Sequence, residues 1–269
     1  MVESVELLEV ARRVAAVGAE QLMAHAEVRN EVVATKSTGT DPVTAADLAS
    51  ERAVRELLAA ERPEDGILGE EGDDVEGTSG LRWVVDPLDG TVSYSYGLPQ
   101  WCISVACEDS ERTLAGVVID PLRREEFSAA LGAGAHLNGR PLHGSGASRL
   151  DRCLLATGFG YEASRRAVQG RMVAELLPKV RDIRRLGSAA LDLCWTAAGR
   201  LDAYLEHGLN HWDLAAGELI CSEAGLQVLE APGGGPLRDG RLAAPEPLVE
   251  PLLETARAAL RAAGVAGDD

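Results

Sequence analysis

Residues 83–91 read Trp83-Val84-Val85-Asp86-Pro87-Leu88-Asp89-Gly90-Thr91, an apolar run ending on two carboxylates three positions apart. The run predicts a strand whose end gathers both acids. Two carboxylates ~4 Å apart repel by about 4 kcal/mol at an effective dielectric near 20. Such a pair is therefore either kept solvated or holds cations, and oxygen-only donors favour magnesium, calcium or manganese. Gly90 and Thr91 add backbone N–H groups, and a helix starting there attracts anions such as phosphate. An Asx-type turn closing a strand accounts for the same residues. The stretch by itself leaves both readings open.

The composition narrows the choice. A chain of 269 residues suits one large domain or two smaller ones and can bury a sizeable core either way. The formal net charge of −17 argues against a nucleic-acid-binding surface, which needs clustered Lys and Arg. It leaves phosphorylated small molecules open, because bound cations reverse the local sign. Lys36 and Lys179 are the only lysines. Cys102, Cys107, Cys153, Cys194 and Cys221 form an odd, scattered set without Cys-x-x-Cys spacing, as expected of buried free thiols in a reducing compartment. The sequence Met1-Val2-Glu3-Ser4-Val5-Glu6 has neither the basic patch nor the apolar core of a signal peptide, and no stretch is long enough to span a bilayer. The expectation is a cytoplasmic protein with no membrane partner.

Along the chain, helical spacing predicts helices over 3–28, 45–60, 162–177, 188–199, 213–224 and 246–263, with Thr44 as an N-cap of the second. Strands are expected near 82–86, 101–107, 113–119, 126–130, 153–157, 182–185, 202–206 and 226–230. Asn138-Gly139 between alternating flanks predicts a hairpin. Residues 231–241 read as a loop, and so do His207 and His211. The pattern changes near Ser148–Asp151, which suggests an N-terminal part, 1–148, and a C-terminal part, 149–269.

Acids at strand ends or helix starts are Asp41, Asp47, Glu70, Glu71, Asp86, Asp89 and Asp213. Taken singly, each has an ordinary explanation: Asp47 and Asp213 favour helix starts electrostatically, and Glu70 and Glu71 suit a solvated loop.

Four segments in order change that balance: Asp41-Pro42-Val43-Thr44-Ala45-Ala46-Asp47, Gly69-Glu70-Glu71, Asp86-Pro87-Leu88-Asp89-Gly90-Thr91, and Trp212-Asp213-Leu214-Ala215-Ala216-Gly217 with Glu223-Ala224-Gly225. At these spacings the chain resembles the inositol monophosphatase family of magnesium-dependent, lithium-sensitive phosphatases. The resemblance implies a layered α/β fold, an αβαβα five-layer sandwich, and commonly a homodimer. It implies two or three Mg2+ ions, with Mn2+ as a substitute, held by Glu70, Asp86, the Leu88 carbonyl, Asp89 and Asp213, with Asp86 bridging. Thr91, fixed by Asp47, would orient the attacking water, with Glu70 as proton acceptor, and Gly90 and Thr91 N–H groups would bind the phosphate. Lys36 would open a flap over 36–41.

The same resemblance places Gly187, Ser188, Ala189 and Glu206 against the alcohol part of a small phosphorylated metabolite, inositol-1-phosphate-like. Glu206 suits ring hydroxyls or the cationic amine of histidinol phosphate. Arg184 and Arg185 suit a second phosphate, as in fructose 1,6-bisphosphate or adenosine 3′,5′-bisphosphate, or else a structural salt bridge. A role as a binding protein in a transcription or ribosome-assembly complex is the alternative from a different class.

Overall fold

The computed structural model describes residues 2–26, 32–35 and 42–265. Helix α1 (Val2–His25) precedes an antiparallel pair, β1 (Val32–Thr35) and β2 (Pro42–Thr44), and then α2 (Ala45–Glu61). Next come β3 (Gly66–Gly69), β4 (Arg82–Asp89), the short α3 (Thr91–Ser95), β5 (Cys102–Glu108), β6 (Thr113–Asp120), β7 (Glu125–Ala130), β8 (Ala135–Leu137) and β9 (Arg140–Pro141). The remainder is β10 (Leu154–Ala156), α4 (Ala163–Leu176), β11 (Asp182–Arg184), α5 (Ala189–Ala197), β12 (Ala203–His207), α6 (His211–Glu223), β13 (Gln227–Ala231), β14 (Gly240–Ala244) and α7 (Glu246–Ala262).

Strands β3 to β9 form one sheet in chain order, with β3 parallel to β4 and every other neighbour antiparallel. The second sheet has the order β11-β10-β12-β14-β13 and is mixed. Helices α1 and α2 cover one face of the first sheet, and α5 and α6 fill the space between the sheets. Helices α4 and α7 close the outer face of the second, giving the five layers αβαβα. The apolar contribution is distributed accordingly. Leu7, Val14 and Leu22 of α1 meet Trp83, Val85 and Ile103, while Leu191, Leu193 and Ile220 meet Val84, Val118 and Phe127 across the central layer.

Small residues let that central layer close. A Cβ on Gly116 of β6 would lie 2.9 Å from the Cα of Ala216 on α6, so this crossing requires glycine. Thr44 caps α2 as expected and forms a capping box with Asp47. At the Asn138-Gly139 hairpin both residues have positive φ, 48° and 76°, which matches the tight turn predicted there.

Three details depart from the expected elements. Strand β14 occupies Gly240–Ala244, where no strand was predicted; Arg-Leu-Ala-Ala carries little strand propensity, and burial between β12 and β13 decides its state. Helix α6 begins at His211 rather than 213, because Asn210 serves as its cap. His207 is the buried last residue of β12, so neither histidine is in a loop. All five cysteines are buried free thiols. Among the described residues no helix is long and apolar enough to cross a membrane.

Candidate active site

The turn after β4 is built by its own sequence. Trp83, Val84 and Val85 are fully buried and fix β4 between β3 and β5. Pro87 has no N–H to give the ladder, and the pairing with β5 becomes irregular between Asp86 and Asp89. Asp86 Oδ1 accepts the Leu88 N–H at 3.0 Å, so the Asx-type turn is present. Gly90 follows with φ of 96°, and a Cβ there would meet the Gln100 carbonyl at 2.7 Å. Only glycine fits, and it turns the chain into α3.

Thr91 opens α3, and its Oγ1 lies 2.9 Å from the Leu88 carbonyl and 3.1 Å from Asp47 Oδ1. A hydroxyl carries one proton and donates to one of these at a time. Asp47 also accepts the Thr44 backbone N–H at 2.8 Å. Burial pushes the Asp47 carboxyl up to about 6 against the lowering effect of its Thr44 hydrogen bonds.

Glu70 follows Gly69 at the end of β3. Helix α6 brings Asp213 to the same place; its Oδ2 accepts the Asn210 N–H at 2.6 Å. Helix-start electrostatics therefore do act on Asp213, which also faces the site. Asp89 Oδ2 accepts the Ser188 hydroxyl at 2.6 Å and the Ala190 N–H at 2.7 Å, both from the start of α5. Glu70, Asp86, Leu88, Asp89, Thr91 and Asp213 line one cavity of about 450 Å³. Gly90, Gly187, Ser188, Ala189 and Glu206 line it too. Asp47 stands behind Thr91, and Glu71 is not part of the lining. Lys36 and the rest of the expected flap, with Asp41, lie outside the described residues.

The acids strain against one another. Burial first, then the charges of Glu70, Asp89 and Asp213, hold Asp86 well above the usual carboxylate range. Burial and the charge of Asp89, then Glu70, do the same to Asp213. Asp89 is pushed up to about 6 by burial, less far because Ser188 and the α5 backbone stabilise its charge. Among the described residues no three His, Cys, Asp or Glu side chains form a preformed metal cage. The donor chemistry nonetheless fits a hard divalent cation: all oxygen, mutually repelling, and open to a cavity with room for water.

Glu206 lies on β12, half-buried. Its carboxylate lies where a Cβ on Gly158 would stand, 1.9 Å from Oε1, and Tyr204 donates to it at 3.1 Å. Burial pushes Glu206 up to about 7, opposed by Tyr204 and Arg185. Arg184 points elsewhere and pairs with Asp182 at 2.6 Å, whereas Arg185 lines the cavity. Arg165, Arg238 and the residues 158–162 also line it.

A model of the inositol monophosphatase family matches residues 3–263. The chain belongs to the inositol monophosphatase family. It is 51% identical over 206 residues to inositol-1-monophosphatase SuhB of Mycobacterium tuberculosis, covering 73% of this chain and 71% of that protein. It is 41% identical over 230 residues to the Nus factor SuhB of Escherichia coli K12, covering 85% and 86%. The solved structure of Mycobacterium tuberculosis SuhB matches with a TM-score of 0.81 and 43% identity, over 97% of this chain and 98% of that one. The five-layer architecture is that of this family, whose members are generally metal-dependent phosphatases.

Proposed function

We propose that the protein hydrolyses a small phosphate monoester, inositol-1-phosphate-like, at the cavity of Asp86 and Asp89. One observation carries this reading. Acids from three distant segments, Glu70, Asp86 with Asp89, and Asp213, are folded into one cavity where their charges oppose each other. That arrangement costs stability, and carboxyls raised this way cluster where charge is used.

Glu70, Asp86, Asp89, Asp213 and the Leu88 carbonyl would hold two or three Mg2+ ions, with Mn2+ as a substitute. When bound, magnesium neutralises the ester phosphate and acidifies water beside it. The chain's own groups do the rest. Gly90 and Thr91 turn their backbone toward the phosphate end. The Thr91 hydroxyl, fixed between Leu88 and Asp47, orients the attacking water, and Glu70 takes its proton. Ser188 and the start of α5 hold Asp89 in place. Glu206, held at about 7 with Arg185 nearby, is a poor partner for a cationic amine and a good acceptor for a sugar hydroxyl. This favours a polyol ester over histidinol phosphate. The homodimer and lithium sensitivity expected from the resemblance, and the cytoplasmic setting expected from the sequence, belong to the same reading.

A second reading rests on the relative named Nus factor SuhB: a binding role in a transcription complex, with turnover incidental. Phosphate release separates the two. The panel is inositol 1-phosphate, histidinol phosphate, fructose 1,6-bisphosphate and adenosine 3′,5′-bisphosphate, each with and without magnesium. Magnesium-dependent release is the expected result. No release from any of them, with metal binding demonstrated, would favour the binding role.

A further inference from the structure

One buried acid stands apart from the cavity lining. Asp192 on α5 is 1% exposed, and its Oδ1 has no hydrogen-bond partner. Leaving such an atom unpaired costs about 1–3 kcal/mol, and more when it is charged. Asp192 follows Ser188 by one helical turn, its N–H bonded to the Ser188 carbonyl at 3.0 Å. Strand β12 packs on α5 and carries Tyr204 and Glu206 on one face, the buried phenol donating to Glu206 at 3.1 Å. Resting on the phosphomonoesterase reading, we propose that Asp192 is an uncharged positioning residue for Glu206. Together with Arg185 it limits this wall to one negative charge, carried by Glu206 and cancelled, so that the wall takes hydroxyls and not cationic amines.

Two acids here meet one cation. Burial, then the charges of Glu206 and Asp89, hold Asp192 well above the usual carboxylate range, opposed by Arg185. Burial also raises Glu206, opposed by Tyr204 and again by Arg185. With a single guanidinium acting on both, one negative charge is matched and a second is not, so one carboxyl keeps its proton. That carboxyl is Asp192. Glu206 lines the cavity and has the Tyr204 hydroxyl, whereas Asp192 is enclosed and its Oδ1 meets no donor. The Arg185 guanidinium is itself seated over the Phe159 ring, 5.9 Å from the centroid. The other titratable groups of this layer have separate partners. Asp89 is held by Ser188 and the Ala190 N–H, and Arg241, opposite Glu206 on β14, is engaged by Glu218 of α6. Asp213 of α6 accepts the Asn210 N–H and acts on Tyr204, and Cys102, Cys194 and Cys221 are buried free thiols. A substrate hydroxyl then donates to Glu206 within a wall of zero net charge. An ammonium group would lose its water there without gaining an unmatched opposite charge. An ionised Asp192 would supply that charge and favour the amine.

Infrared difference spectroscopy of magnesium-saturated protein carrying carboxyl-labelled aspartate reads the proton without turnover. At pH 8 the protein should show the carbonyl stretch of a protonated, labelled aspartate, and Asp192→Asn should abolish it. Glu206→Gln removes the competing charge, so the same band should disappear at a pH about one unit lower or more than in the unmodified protein. The absence of the band, a band that Asp192→Asn leaves in place, or a titration that Glu206→Gln does not move overturns the proposal. If Asp192→Asn fails to fold, the labelled band and its response to Glu206→Gln decide. The effect on substrate choice is read from kcat/KM for inositol 1-phosphate and histidinol phosphate at pH 8. The preference for the first should fall about tenfold in Arg185→Gln, chiefly through KM, because the Glu206 charge is then unmatched and open to the amine. An unchanged ratio overturns the role of Asp192 and Arg185 in specificity. If neither ester releases phosphate, the phosphatase reading has failed instead, and the infrared outcomes alone decide the proposal.

Discussion

The carboxylate of Glu51, on α2, accepts the backbone N–H of Glu71 at 2.8 Å and, through its other oxygen, that of Gly72, also at 2.8 Å. Arg55 holds the same carboxylate at 2.7 Å from the next turn of the helix. Glu51 is thus a buried clamp on the segment that presents Glu70 to the cavity. Its crowding against Gly69 and Gly72, where a Cβ would come within 2.4 and 2.7 Å of Oε1, explains the glycines flanking the two glutamates. Glu51→Ala leaves two N–H groups and Arg55 without their acceptor and should cost about 2–4 kcal/mol. Glu51→Gln keeps the shape but turns an amide donor toward one N–H, so it should cost less. Both variants should raise the magnesium concentration needed for half-maximal activity roughly tenfold, as loss of support behind a ligand does. Chemical denaturation and a magnesium titration of phosphate release check the two effects separately.

Ser188 joins the two sheets at the site. Its hydroxyl donates to Asp89 of β4 and accepts the Leu191 N–H at 3.3 Å, so one side chain caps α5 and orients an acid 99 positions earlier. Ser188→Ala should lower stability by about 1–2 kcal/mol through the lost cap and hydrogen bond. The Ser188 bond lowers the Asp89 pKa, so its removal moves that pKa further up. The acid limb of the pH–rate profile should accordingly shift to higher pH. An unshifted limb would show that Asp89 ionisation does not govern it.

The site was legible in the sequence wherever the chemistry is local. Pro87, Gly90 and Thr91 dictate the turn after β4 through a missing N–H, a positive φ and a hydroxyl reaching back three residues. Thr44 and Asp47 likewise announce their capping box. What was not legible depends on distant packing. An arginine at position 165 on a helix, or at 238 after a glycine-rich turn, reveals nothing about the wall it will face. Strand β14 has a composition that favours no element and takes its state from its neighbours. Ser188 was read toward a substrate and lines the cavity; that its hydroxyl also engages Asp89, a residue far upstream, had no local signal. Glu51 gave no signal either, since a helical glutamate is ordinarily solvated.

Metal-free protein should lose stability as pH rises from about 5 to 7.5. Asp47 and Asp89 are both raised to about 6, and Asp86 and Asp213 stand well above the usual range. A carboxyl raised on folding binds more protons in the native state, so its stabilisation is complete below about 4 and is lost as pH passes its folded pKa. Asp65 and Glu108 shift downward and contribute below this window; His207, lowered by burial, opposes the trend within it, while Glu206 and Asp192, both raised by burial, add to it. Magnesium should reverse the loss, and at 100 times its dissociation constant a single bound ion adds about 2.7 kcal/mol. Thermal unfolding in chelator and in magnesium, at pH 5 and pH 7.5, checks both signs. A midpoint in chelator that rises with pH would contradict the electrostatic account of the acids.

Asp86→Asn separates function from stability at a single residue. Asp86 is 1% exposed and faces three other acids, so its charge is a liability to the fold without a cation. The isosteric amide removes that charge, and its side-chain oxygen can still accept the Leu88 N–H that closes the turn. Metal-free Asp86→Asn should therefore be as stable as the unmodified protein or more so near neutral pH. It should also lose most of the stabilisation that magnesium confers, because the acid expected to bridge the ions is gone. Turnover should fall by about a hundredfold or more, on the scale of losing one preorganised charge at a reacting centre. Differential scanning calorimetry with and without magnesium, run beside a phosphate-release assay, reads all three quantities. A variant that unfolds without metal would make Asp86 a structural residue, and one that retains magnesium-dependent turnover would remove it from the site.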